Sequence, residues 1–171
     1  MLLLDMLGLL PEGAGRGAVT PTGVELTPMD GGHERSEVCV SSPISLTEDC
    51  RDALNHLRQS REINTVILRF DLDGGLTLEL EGNLTHDELV TALPADQARL
   101  IVHELSFATP EGARRHEMLL ALWMPADTEA HEETYTAGYA LLKEYLPDVH
   151  VHLTARRRDQ LEYRRLVALA G

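Results

Sequence analysis

The stretch from Leu93 to Pro125, LPADQARLIVHELSFATPEGARRHEMLLALWMP, constrains the fold more than any other part of the chain. Two apolar strands, 98–107 and 115–124, are joined by a Pro110-Glu111-Gly112 turn. The second ends in Trp123-Met124-Pro125 just before a helical pattern. Leu100-Ile101-Val102 and Met118 through Met124 show no polar alternation, so these strands need cover on both faces. The same holds for Val66-Ile67-Leu68. A sheet covered on both sides requires helices in two layers. The expected fold class is therefore α/β, with a central five-stranded mixed sheet sandwiched between helices in a single domain over 44–171.

The remaining elements follow from caps, breakers and periodicity. Ser45 or Thr47 can cap a helix over 46–60 that carries Leu46, Cys50, Ala53, Leu54 and Leu57 on one stripe. A strand over 64–72 closes on Asp73-Gly74-Gly75, a hairpin signal, and 76–80 alternates as a half-exposed second strand would. Thr85 starts a short helix that ends at Pro94. A long helix over 128–146, a short strand over 149–153 and a closing helix over 158–169 complete the order. The carboxylate pairs Asp71/Asp73 and Asp87/Glu88 suit a turn and a first helical turn.

Composition bounds what the chain can do. Residues 1–43 hold seven of the 13 glycines and four of the 8 prolines, which predicts a flexible N-terminal extension. Its Gly13–Gly17 run has no preceding strand and reads as a linker. The start, MLLLDMLGLL, is too short for a membrane span and lacks the basic flank of a signal peptide. Cys39 and Cys50 form no disulfide framework, so free thiols in an intracellular, reducing compartment are expected. A net charge of −13 disfavours nucleic acid and a polybasic membrane anchor.

No HExxH, CxxC or phosphate-binding glycine loop is present, so no catalytic residue, metal or cofactor is assigned. One alternative is a small metal-dependent enzyme built on His150 and His152, with His131, Glu132 and Glu133 as further ligands. Two histidines on an exposed strand are more commonly polar surface. The Arg156-Arg157-Arg158 cluster can attract an acidic peptide or headgroup, or simply be a solvated helix entrance.

The order of elements, with Tyr135 early in the long helix, resembles the actin-depolymerising-factor homology domain. The run HDELVTALPADQARLIVHELSF is most similar within that fold to glia maturation factor, and the resemblance extends over about Ser45 to Gly171. It implies a non-enzymatic, monomeric, cytoplasmic regulator of the actin cytoskeleton. On this resemblance its partner is the actin-related protein 2/3 complex, whose branch nucleation it inhibits and whose branches it dissociates. The alternative is a cofilin-like protein that binds and depolymerises actin itself; a degenerate scaffold is the third. Cofilin-type chains carry lysines and a methionine where this one has Glu132 and Glu133. The closing helix region instead carries Arg156, Arg157, Arg158, Arg164 and Arg165. The basic segment after the first helix is reduced to Arg58 and Arg61.

Helix geometry locates the surface. At 100° per residue, Tyr135, Gly138, Leu142, Tyr145 and Leu146 share the core side, and Glu133, Thr136, Ala137, Ala140 and Glu144 face away. Taken alone, such small residues read as an ordinary solvated face. Joined to the resemblance, they read as a docking face. The candidate partner-binding residues are Glu132, Glu133, Thr136, Ala137 and Ala140, flanked by Arg58, Arg61, Arg157 and Arg158.

Overall fold

The computed structural model describes residues 43–171. The extension over 1–43, with its Gly13–Gly17 run and Cys39, lies outside the described residues save for Pro43. Five strands form one sheet: Thr65–Phe70 (β1), Leu76–Gly82 (β2), Arg99–Ala108 (β3), Arg114–Trp123 (β4) and Val151–Ala155 (β5). Their order is β2-β1-β3-β4-β5. All neighbours are antiparallel except β4 and β5, so the sheet is mixed.

Among the described residues four α-helices cover it: Glu48–Gln59 (α1), His86–Ala92 (α2), Glu132–Tyr145 (α3) and Tyr163–Ala170 (α4). Alternate strand residues feed two separate cores. Val66, Leu68, Leu100, Val102, Leu120 and Leu122 pack under α1 and α3. Ile67, Ile101, Leu105, Leu119, Ala121 and Trp123 pack under α2 and α4. With both faces covered, most positions of either set are apolar, and this explains the unbroken apolar runs.

Local chemistry fixes most ends. Thr47 caps α1, accepting the Cys50 N–H at 3.4 Å. Cys50 is wholly buried, and burial pushes its thiol up to about 12, so it is inert. Thr85 and Glu88 form a reciprocal capping box at α2. The Thr85 backbone N–H donates to Glu88 Oε2 at 2.7 Å, and these bonds hold the Glu88 carboxyl below its ordinary value. Removing the cap by Thr85→Ala is expected to cost about 1 kcal/mol in urea unfolding. An unchanged midpoint would show α2 held by packing alone.

Several boundaries differ from expectation. Leu46 lies outside α1 and forms an isolated parallel bridge with Leu76. Leu72, expected to end the first strand, stands fully exposed in the turn after β1. The long helix begins as a 3-10 segment over Ala126–His131 and becomes α-helical only at Glu132. The closing helix likewise splits into a 3-10 turn, Arg158–Leu161, and α4. The last strand is two residues later than expected. Val149 is instead spent closing α3, its N–H bonded to Leu146 O at 3.2 Å, and pairing with β4 begins at Val151.

Candidate docking surface

The α3 helix is pinned hard against the sheet by its inner residues. Tyr135 is buried edge-on against Phe70, ring centroids 4.9 Å apart, and its hydroxyl accepts the Phe70 N–H at 3.4 Å. One turn on, Gly138 is buried where a Cβ would stand 2.7 Å from Phe70 Cζ. Leu142 and Leu146 complete the buried side. Glycine is required here by proximity rather than by backbone angle.

The opposite side is open. Glu133, Thr136, Ala137, Ala140 and Glu144 are all exposed, as the helical geometry expects. Small side chains at 136, 137 and 140 leave the helix backbone accessible to another protein surface. Beside them Lys143 lies over the Tyr139 ring at 5.7 Å, and partial burial raises the Tyr139 hydroxyl.

The flanking candidates are not gathered on this face. Glu132, half-buried at the first turn, is bridged to Arg156 at 2.6 Å. Beyond the other end of α3, Asp148 holds Arg58 at 2.5 Å, and Arg61 is exposed just after α1. Arg157 pairs with Asp159 at 3.1 Å, while Arg158 donates to the Leu93 carbonyl at 3.1 Å. The two arginine groups therefore lie off opposite ends of a helix about 21 Å long at 1.5 Å per residue. They form no single basic patch.

The two histidines meet different neighbours. His150 precedes β5 and sits 4.0 Å from Glu117, whereas His152 stacks edge-on against Tyr139 of α3. Among the described residues no group of three or more His, Cys, Asp or Glu side chains is placed to hold a metal ion. A Ser106–His116–Glu104 contact on the outer end of β3 and β4 also lacks a relay geometry. Both partners meet the same ring nitrogen, Nδ1, at 2.9 Å, so no proton path runs through the imidazole.

One feature of this end of the molecule escaped the sequence pattern. A groove of about 530 Å³ opens between the β1–β2 turn, the loop before β3 and the start of α3. Phe70, Ala98 and Tyr135 supply the apolar part of its lining, and the exposed Asp96 and Asp127 are among its charged groups. The available signal was Leu72, an apolar residue set between two aspartates at a hairpin turn. It looked like the last residue of a strand.

The profile of the cofilin/tropomyosin-type actin-binding protein family matches residues 43–169. The chain belongs to that family. Among similar proteins, actophorin of Entamoeba histolytica is 26% identical over 131 residues, covering 73% of this chain and 93% of the relative. Actin-depolymerizing factor 2 of Arabidopsis thaliana is 21% identical over 117 residues, covering 67% and 85%. The cofilin of Streptomyces griseoflavus superimposes with a TM-score of 0.68 at 15% identity, covering 75% of this chain and 97% of that one. Coactosin from Entamoeba histolytica gives 0.65 at 14% identity, covering 74% and 93%. At such low identity these likenesses are of fold: the cofilin-type sandwich of helices about a five-stranded mixed sheet.

Proposed function

We propose that this chain is a non-enzymatic actin-binding protein of the cytoskeleton that docks through the outer face of α3. The observation that carries this is the exposed small-residue face at Thr136, Ala137 and Ala140, on a domain whose family is actin-binding. Actin-depolymerising relatives support actin as partner. The chemistry is stoichiometric: a binder shifts filament or monomer populations only by its differential affinity for them.

A second proposal keeps the same face and changes the partner to the actin-related protein 2/3 complex, inhibiting branch nucleation and releasing branches. It is favoured by the similarity of residues 86–107 to glia maturation factor and by carboxylates at 132 and 133. Burying an unpaired Glu133 against actin would cost several kcal/mol unless the partner supplies a cation. In this arrangement Arg58, Arg61, Arg157 and Arg158 act only as peripheral charges that steer association.

Both proposals are tested by binding of the full chain to monomeric actin, to filaments and to the purified branch-nucleating complex. The double variant Ala137→Arg, Ala140→Arg is expected to lose ~10-fold or more in affinity, because two bulky cations prevent close approach to the helix. Its melting temperature should stay within a few degrees of wild type, since both positions are exposed. Equal binding by the variant would move the site off α3. Selective binding to the branch-nucleating complex would favour the second partner over actin.

A further inference from the structure

Resting on the assignment of α3 as the docking helix, we propose that the groove beside its first turn receives a basic segment of the protein partner carrying an apolar side chain. The groove offers both halves of that recognition. Most of its lining residues are polar, with an apolar floor where Phe70, Ala98 and Tyr135 surface, and Leu72 stands fully exposed at its rim. Such an exposed leucine beside a preformed apolar floor is surface that a partner can bury.

The charge of the mouth then selects the partner's chemistry. Two arginines line the groove and share the single Glu79 carboxylate, with Arg99 Nε at 2.5 Å and Arg69 Nε at 3.7 Å, so this trio keeps one positive charge against the three carboxylates Asp71, Asp96 and Asp127. Arg99 is buried, donating from Nη1 to Ala98 O at 2.7 Å and from Nη2 to Gln97 Oε1 at 2.8 Å, while its Nε meets Glu79 as an ion pair without hydrogen-bond geometry. Asp71 is half satisfied, one oxygen accepting from the N–H groups of Asp73 and Gly75. Asp96 and Asp127 are exposed and have no hydrogen-bond or ion-pair partner among the described residues. Asp73, Glu129 and Glu133 stand close by in sequence on the same elements. The local field is therefore negative.

That field decides among occupants. Residues 1–42 carry six carboxylates against two arginines, and a second copy brings the whole charge of −13. Like charge disfavours both. A lysine or arginine of the partner set against Asp96 and Asp127, with a neighbouring apolar side chain laid along Leu72 and Phe70, satisfies every group that is free. The groove adds a second contact to the α3 face and tunes partner choice through charge.

The test uses isotope-labelled full chain and a defined probe, the peptide acetyl-Lys-Leu-Lys-Leu-amide, with acetyl-Glu-Leu-Glu-Leu-amide as its acidic counterpart. The basic probe is expected to shift the amides of Leu72, Gly74, Asp96, Asp127 and Thr134 in a saturable way. Its affinity should fall ~3–10-fold between low and physiological salt and ~10-fold in the Asp96→Asn, Asp127→Asn variant. Equal shifts with the acidic probe, shifts elsewhere, or no loss in the variant would overturn the proposal. Amide shifts at the groove that follow protein concentration without probe would assign it to a second copy. Displacement of signals from residues 1–42 by the probe would assign it to the chain's own start. None of these outcomes depends on actin binding, so failure of the Ala137→Arg, Ala140→Arg experiment is distinguishable from failure here.

Discussion

Between pH 7 and pH 5 the domain is expected to lose about 2 kcal/mol of stability, chiefly through one histidine on the central strand. His103 is only 3% exposed, on the face of β3 that packs beneath α2. Burial, reinforced by the neighbouring His86, pushes its imidazole down to about 4. In the unfolded chain the same ring titrates near 6.5. Below that value the unfolded state binds the proton and the folded state does not. Stability is therefore complete above about pH 7 and drains away as pH falls toward 4, where the folded ring finally protonates.

The ring sits in a hydrogen-bonded cluster that ties β1 and β3 to the segment before α2. Thr65 Oγ1 lies 2.9 Å from His103 Nδ1 and 2.7 Å from Asn64 Oδ1, so the hydroxyl links ring to amide. Asn64 in turn clasps Leu84, donating to its carbonyl at 2.9 Å and accepting its N–H at 2.8 Å. Among the described residues both ring nitrogens of His86 are buried without a partner, and the ring lies edge-on to Tyr163, whose hydroxyl holds α4 to the Ser106 carbonyl. Urea unfolding from pH 7 to pH 5 measures the loss. His103→Gln should remove most of the slope, whatever its own cost. A slope unchanged by His103→Gln would assign the effect elsewhere.

Gly138→Ala should destabilise the domain by about 2 kcal/mol, although alanine is the better helix former by about 1 kcal/mol. The new methyl would stand 2.7 Å from Phe70 Cζ, 3.0 Å from its Cε2 and 3.2 Å from Leu100 Cδ1. Tyr135 packs edge-on against the ring, so Phe70 can yield only by giving up that contact and turning toward the groove. Otherwise the helix must move outward and give up contacts at Leu142 and Leu146. In a Phe70→Leu background the obstruction is gone, and Gly138→Ala should become nearly neutral. The coupling between the two sites is then about 2 kcal/mol, read from a double-mutant cycle in urea. An equal cost in both backgrounds would mean that the ring is not what glycine makes room for.

Particular residues show what was legible in advance. Leu100-Ile101-Val102 announced a strand buried on both faces because burial is the one requirement each side chain meets locally. The Thr85 cap, the Asp73-Gly74-Gly75 turn and the inner and outer sides of α3 were readable for the same reason: each depends on neighbours within four residues. The start of α3 was not. Nothing in Ala126–His131 distinguishes a 3-10 turn from an α-turn except the need to lead from β4 onto the sheet. The strand at Val151 slipped by two residues because its register is set by a parallel partner across a helix. Leu72 was misread because a lone exposed leucine resembles the end of any strand.

The amino-acid order alone determined which segments become strands and helices, which faces they bury, and that two layers of helix must enclose the sheet. Those choices are made by periodicity and capping, which act over a few residues. Only the tertiary structure decided that Glu132 is tied to Arg156, that Arg58 is tied to Asp148 beyond the other end of α3, and that Asp96 and Asp127 line one groove. Those positions are far apart along the chain, and charge acts through space, so their association exists only once the sheet has brought the loops together.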